Sequence, residues 1–509
     1  MIIWNPAPRY GIAVAMLAVF ALTAVSRAQT TATSSEAPSS AKKLDKADEL
    51  EDHLDQLTDK LESMRQQLKE SQSEMAELRA ELNSLRAKLA EKNPSEEAAT
   101  AAATLRGSVE QLREQTDILQ AEVKQHDETK VESGTKYPVR ISGTLLFTSL
   151  VNGGNPDNID LPTVALPGEA NAASGSQSAT VRQTVLSVTG SGPHLWGAKA
   201  SADLSIDFFG GLPYTDYNTA AGSVRFRTGR AGLEWPDRSI EFAFDRPLIS
   251  PWQPTSWLSV GEPALAWSGN LWTWVPQLRF KENGILPHGR LSAEFGLMDP
   301  AAPGPPAANG QRQPDASERS RQPGFEARVG STLSRRERPI NFGAGGYYSR
   351  QSYTYNRHID AWAATADWNV FLARAVELSG VIYRGRAIGG LGGGAFKDYV
   401  PYASYRSLRG LNDEGGWAQM KFMLLPSLEA NVAAGQDNAL AQDLRNSDLA
   451  TEPDIYANLA RNQNVFGNLV FRPRPYFLLS AEFRRLESWT IAGDSNRDRI
   501  FGLAAGYSF

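Results

Sequence analysis

Two hydrophobic periods divide this chain. Between Leu44 and Lys92 the seam Ala47, Leu50, Leu54, Leu57, Leu61, Met64, Leu68, Ser71, Met75, Leu78, Leu82, Leu85 and Leu89 is spaced 3,4,3,4, and only Ser71 interrupts its apolar character. A 3.5-residue period held over about six heptads with charged flanks predicts a left-handed coiled coil. A surface helix of a globular domain would drift off that period and carry a wider apolar stripe. Residues 44–92 contain no Gly, Pro or aromatic side chain, and Asn93-Pro94 ends the run, because proline cannot donate to a helix and restricts the residue before it. A weaker block follows within 93–136: Leu105, Val109, Leu112, Thr116, Leu119, Val123 and His126. A helix of this kind, roughly 70 Å long for the first block, cannot bury its seam alone, and self-association is the simplest supply of partners.

From Tyr137 the period becomes two. In the last segment Phe501, Leu503, Ala505, Tyr507 and Phe509 point one way, and Gly502, Ala504, Gly506 and Ser508 the other. Trp196, Ala198, Ala200, Ala202, Leu204, Ile206 and Phe208 likewise oppose Lys199, Ser201, Asp203, Ser205 and Asp207. An unbroken apolar face backed by a charged one, over more residues than most soluble strands, suits a strand between lipid and water. Sixteen such segments are expected: 139–151, 179–190, 195–209, 223–233, 238–246, 271–281, 290–298, 323–333, 340–349, 359–370, 376–384, 416–424, 428–435, 462–471, 476–486 and 499–509. Their connections alternate long and short almost throughout. Long ones include 152–178, 247–270, 299–322, 385–415 and 436–461; short ones include Ser191-Gly192-Pro193-His194, the neighbours of Pro426, and Pro473-Arg474-Pro475. One-sided loop lengths distinguish a membrane barrel from a soluble sandwich or propeller. The expected fold class is therefore an all-β transmembrane barrel of about sixteen antiparallel strands, residues 137–509, preceded by an α-helical coiled coil.

Composition narrows the chemistry. The 509 residues include no cysteine, which excludes thiol catalysis, cysteine-ligated zinc, iron–sulfur clusters and disulfides. The five histidines, His53, His126, His194, His288 and His358, include no i, i+4 pair, so helical zinc-hydrolase motifs are absent and no metal or other cofactor is expected. No histidine sits in a Ser/His/Asp pattern, and an enzyme is not expected. A formal net charge of −5 gives no reason to expect nucleic acid as a partner. At the amino terminus Arg9, the apolar stretch 11–25, and Ser26 and Ala28 read as a signal peptide spanning 1–28 and cleaved before Gln29. Residues 29–43, rich in Ala, Ser and Thr, read as a flexible leader.

An exported chain with a coiled coil, sixteen strands and an aromatic-x-Phe end resembles the Gram-negative trimeric porins, and more narrowly the dicarboxylate (DcaP-like) and phosphate-selective group. The local likenesses are Gly197-Ala198-Lys199 through Asp207-Phe208-Phe209-Gly210, Ser268-Gly269-Asn270 through Gln277-Leu278-Arg279, and Gly415-Gly416-Trp417-Ala418-Gln419. The resemblance implies an outer-membrane homotrimer in contact with membrane lipid, its coiled coil in the periplasm, passing small hydrophilic solutes. The end Ala505-Gly506-Tyr507-Ser508-Phe509 resembles the signal read by the barrel-assembly machinery. Sixteen strands leave room for an aqueous channel, and infolding of the third long loop, a property of the family, maps to 247–270 with Trp252 and Trp257. We expect that loop to narrow the lumen; an external loop or a trimer contact is the alternative. Trp252, Trp257, Trp267, Trp272 and Trp274 could form an interface girdle or a stacking track.

Charge supplies the hint of selectivity. From residue 137 onward 31 Arg and 4 Lys face 34 Asp and Glu, and arginine's planar fork suits carboxylates and phosphates. Period-two parity places Arg140, Arg182, Lys199, Arg225, Arg227, Arg279, Lys281, Arg328 and Arg484 on the water face, with Asp203, Asp207, Glu241, Asp245, Glu294, Glu326 and Glu482. Two arrangements follow: a basic ladder opposite an acidic wall with mild anion preference, or a lumen whose charges satisfy each other. Four lysines cannot build a lysine-rich constriction, which favours small carboxylates over phosphate. The alternative function is a structural anchor whose coiled coil tethers the periplasm or peptidoglycan.

Overall fold

The structure is a computed structural model describing residues 137–509 apart from 169–172, 213–221, 287–288, 303–312, 336–337, 354–356 and 453. The expected signal peptide, leader, coiled coil and second helical block fall outside the described residues. Among those described, no helix is long and apolar enough to cross a membrane; strands do the spanning.

Sixteen strand positions form one closed antiparallel sheet. They are β1 (Val139–Asn152), β2 (Ser176–Thr180 and Val185–Leu195), β3 (Ala198–Asp207), β4 (Arg225–Glu234), β5 (Arg238–Asp245), β6 (Val275–Leu286), β7 (Gly289–Met298) and β8 (Gly324–Arg335). The second half is β9 (Arg338–Tyr353), β10 (Arg357–Ala373), β11 (Val376–Arg386), β12 (Asn412–Leu425), β13 (Leu428–Ala439), β14 (Leu459–Arg474), β15 (Phe477–Thr490) and β16 (Ser495–Ser508). Each strand pairs with its sequence neighbours, and β16 closes on β1 with Phe147 opposite Ala505 and Val151 opposite Phe501. Closure leaves no free edge, the condition for spanning lipid with strands.

Every expected segment became a strand, with local corrections. Residues 271–274 precede β6 and belong to the long connection. The turn expected at 191–194 lies instead at Trp196-Gly197, both at positive φ (52° and 79°), so Trp196 is a turn residue and not part of the β3 face. The strand β14 runs through Pro473 to Arg474, into the expected turn. The pairing of β2 is interrupted at 181–184, where Arg182, Gln183 and Thr184 are drawn inward and buried. Loop lengths are one-sided except after β9 and β15, whose connections 354–356 and 491–494 are short.

Alternation sorts the two faces. Phe147, Phe226, Phe242, Phe342, Trp362, Phe483, Phe501, Tyr507 and Phe509 stand exposed on the outside, the apolar belt expected of a lipid-facing surface. The buried apolar clusters lie inside or above the barrel, where loops meet the inner wall. One gathers Ile249 and Leu271 from the loop 246–274 against Tyr347, Ala363 and Tyr383 of β9–β11. Another joins Val400, Leu411, Leu444 and Leu459 across the connections that follow β11 and β13.

Candidate functional site

The segment 246–274 between β5 and β6 folds into the barrel and follows its inner wall. The Leu248 amide donates to Glu326 of β8 at 2.7 Å, and the Trp252 indole N–H donates to Asp367 of β10 at 2.9 Å. The Thr255 amide donates to Gln419 of β12 at 2.5 Å, while its carbonyl accepts from Asn468 of β14 at 2.9 Å. Ser256 Oγ donates to Glu482 of β15 at 2.6 Å. Leu258 is buried against Leu146 of β1 and Ala504 of β16, with Trp257 beside them. The amides of Val260 and Gly261 converge on Gln183 of β2 at 2.7 and 3.0 Å. Returning, Ala264 and Leu265 pack on Val381, Trp417, Ala433 and Phe466.

Small residues on the wall make this possible. A methyl group on Gly343 would lie 2.4 Å from both Arg328 Nη2 and Asp367 Oδ2, so glycine there leaves room for the ion pair that receives Trp252. Gly269, at φ 96°, would bring a Cβ within 2.1 Å of the Gly416 carbonyl, and only a residue without one fits.

Trp267, Trp272 and Trp274 therefore lie in this inner segment and not in an outer girdle. They meet edge to face, Trp267–Trp272 at 5.6 Å and Trp272–Trp274 at 5.4 Å between centroids. Trp267 also stacks on Phe396 at 4.0 Å. Beside Trp267, whose indole N–H donates to it at 3.2 Å, burial pushes the Glu262 carboxyl up to about 7, with Asp157 adding to the shift and Arg225 opposing it.

The charged positions expected on the water face all point inward, but their arrangement differs from a basic ladder opposite an acidic wall. Cations and carboxylates interleave on one wall, β3 to β8. Arg225 pairs with Asp207 at 2.7 Å and donates to the Gly261 carbonyl at 2.5 Å. Arg230 faces Asp203 at 3.4 Å, and Arg279 faces Asp245 at 3.3 Å. Glu294 takes both Lys281 at 3.6 Å and Arg328 at 3.2 Å, and Arg328 also binds Asp367 at 2.8 Å. The physical reason is economy of desolvation: a loop pressed on the wall removes water, and an inward charge is tolerated there when a partner is near. Arg182 binds Asp160 at 2.9 Å and lies over the Phe209 ring at 4.2 Å. Arg484 binds Glu482 at 2.7 Å and donates to Ser259 at 2.6 Å. Arg140 and Lys199 remain exposed near the barrel end at which β1 begins and β16 finishes.

Two arginines are left over. Among the described residues, neither Arg227 nor Arg246 has a carboxylate within ion-pair distance; the Arg227 guanidinium lies over Trp274 at 5.2 Å. Arg227 is the extra residue of a bulge, since Ser205 pairs with Thr228 and Ile206 with Phe226. The bulge reverses parity, which turns Arg230 inward, a residue that strict alternation from Arg225 assigns to the lipid face. Arg246 was missed for a different reason: the expected segment 238–246 carried it on the face opposite Asp245, whereas the strand ends at Asp245 and Arg246 opens the inner loop. A cavity of about 280 Å³ is lined by Arg230, Arg246, Arg279, Lys281, Glu241 and Asp245. A second of about 210 Å³, lined by Asp203 and Glu234, shares Arg230 and Glu241 with it. Glu241, like Arg227 and Arg246, has no ion-pair partner among the described residues.

A closed sixteen-stranded barrel with its third long loop folded inside and charges interleaved on the remaining wall decides the fold. It is the fold of the outer-membrane porins. The chain is similar to the outer membrane channel DcaP of Acinetobacter baumannii, with a TM-score of 0.56 and 16% identity over 74% of this chain and 99% of that one. It also matches an anion-selective porin from Comamonas acidovorans, with a TM-score of 0.45 and 12% identity over 74% of this chain and 100% of the other. No family model matches the sequence. No curated protein matches it.

Proposed function

We propose that this porin-fold chain is an outer-membrane channel for passive diffusion of small hydrophilic solutes, with a mild preference for small anions such as dicarboxylates. The observation that carries the reading is the inner loop. It follows the inner wall and leaves cavities lined by ionised groups along β3–β7, where a passing solute would meet charge. The anion preference rests on Arg227 and Arg246, whose charge is not committed to a protein carboxylate, while Asp207, Asp245 and Glu294 already hold cations. Low-dielectric walls around such a column focus the field of an uncommitted charge. Glu241 works against them, which keeps the preference mild. Assembly as a homotrimer, insertion through the barrel-assembly machinery by the strand ending in Phe509, and a periplasmic coiled coil belong to the same proposal.

Single-channel conductance in planar bilayers, with reversal potentials in a salt gradient, tests it. Discrete conductance steps with a reversal potential on the anion side are expected. A folded barrel that inserts without conducting would move the reading to a structural anchor.

A further inference from the structure

On the outer face of β9–β12 two charged couples are neutral: Arg350 with Asp360 at 2.9 Å and Arg384 with Glu414 at 2.5 Å. The outer face of β14–β16 departs from this. Pairing register lays its residues in successive rows. One row is apolar, with Val151, Phe501 and Phe483 side by side. The next, one step toward the long-loop end, sets Arg499 directly opposite Arg485. Beyond it Arg497 faces Glu487, and then Arg461 lies over the ring of Trp489 at 3.7 Å. These rows hold four arginines and one carboxylate, Glu487, which is itself buried beneath Arg485 at 2.6 Å and Arg497 at 2.7 Å.

Like charges directly opposite on neighbouring strands destabilise a sheet. Arg499 meets no carboxylate among the described residues, and its neighbour on β1 is Gly153, whose amide donates to the Arg499 carbonyl at 3.0 Å. Glycine leaves the guanidinium uncovered on that side. Arg485 and Arg497 share the single carboxylate of Glu487 while Arg499 has none among the described residues, and this excess of positive charge immediately above an exposed Phe483–Phe501 layer matches an amphiphile with acyl chains below and an anionic head above. Planar guanidinium forks bind phosphate oxygens bidentately.

We propose that Arg485, Arg497 and Arg499 form a docking site for the phosphate groups of an anionic outer-leaflet lipid, whose acyl chains lie on Phe483, Phe501 and Val151. The assignment of the long-loop end to the outer leaflet rests on the proposed outer-membrane orientation. The site is remote from the lumen, since these side chains face outward.

The test uses the purified, delipidated full chain in detergent and bisphosphorylated lipid A as the probe, with binding read by native mass spectrometry and by titration. The R485Q/R499Q variant should bind about tenfold more weakly, as expected for losing two charged contacts partly replaced by solvent. R499Q alone, which removes no ion pair or side-chain hydrogen bond among the described residues, should show part of that loss with a fully folded barrel. R384Q, on the same outer surface, should bind like the parent, and dephosphorylated lipid A should bind the parent as weakly as phosphorylated lipid A binds the double variant. Equal affinity of parent and double variant overturns the proposal. So does indifference to the phosphates, or a change of oligomeric state in the variant with lipid A binding intact, which would make the patch a contact between copies of this chain. Conductance is recorded on the same samples: its absence in the parent would count against the channel while leaving the lipid comparison readable.

Discussion

Arg225 and Arg227 stand two residues apart, yet their partners predict different consequences. Arg227→Ser removes a cation with no ion pair, so the anion-to-cation permeability ratio should fall roughly twofold with little change in stability. Arg350→Ser, on the outer surface, should leave the reversal potential where it was. Arg225→Ser strips the buried Asp207 of its partner and should cost about 3–5 kcal/mol, seen as an earlier urea midpoint of the folded barrel. A third residue gives the lumen a pH response. Glu262, held up to about 7 by burial, is neutral below that pH and negative above it. Lys397, pushed down to about 7 by burial, loses its charge over the same range, and Asp398, raised to about 7 by burial, gains one. Anion preference should therefore weaken as pH rises through 7, and Glu262→Gln should reduce the swing; a pH-independent reversal potential in the parent would refute this. The same groups act on stability with opposite signs. The native state holds protons on Glu262 and Asp398 that the unfolded chain releases above about 4 to 4.5, so their contribution falls as pH rises toward 7. The unfolded chain keeps the Lys397 proton up to its ordinary value of 10.5, so stability recovers from 7 upward. These three groups together place a local minimum near pH 7.

At the scale of elements, the inner loop is held by many modest contacts and a few positions that tolerate nothing larger. Leu258 fills the space over Gly502, where a Cβ would approach its Cδ1 to 2.3 Å. Leu258→Ala should lower barrel stability by about 2–4 kcal/mol, as for a buried leucine whose cavity cannot collapse. Gly269→Ala places a methyl group against the Gly416 carbonyl and must displace the returning limb of the loop. The expected readout is a larger and noisier conductance, approaching that of a chain lacking 250–270. Unchanged conductance in both would show that this loop does not limit flow. The connection after β11 is pinned in a similar way: the Gly394 amide donates to Asp413 at 2.9 Å, and Lys397 Nζ donates to the Ala395 and Leu459 carbonyls, each at 2.6 Å.

For the whole molecule, the barrel and the coiled coil expected over 44–92 are separable in physical terms. The barrel's backbone bonds close on themselves, whereas the heptad seam of 44–92 needs other chains. Deleting 44–92 should weaken trimers, read by cross-linking or by mass in detergent, and leave a heat-modifiable barrel. A deletion that abolishes barrel formation would refute the two-module reading. Amino-terminal sequencing of the outer-membrane fraction should begin near Gln29.

Local alternation by itself determined the sixteen strands and the side taken by most of their charges, because lipid on one side and water on the other enforce a period of two that each short segment reports independently. Tertiary structure alone decided the rest. The bulge at Arg227 turns Arg230 inward, and no local residue choice announces a one-residue insertion in a pairing ladder. The carboxylate that each arginine finds depends on register: Arg328 and Asp367 are 39 positions apart and meet only because β9 between them carries Gly343. The five tryptophans of the third loop read equally well as a girdle or an inner lining from sequence, and only the path of that loop along the inner wall placed them inside. Periodicity records the solvent on each side of a strand; pairing across a closed sheet, and the course of a loop within it, are set by contacts between residues far apart in the chain.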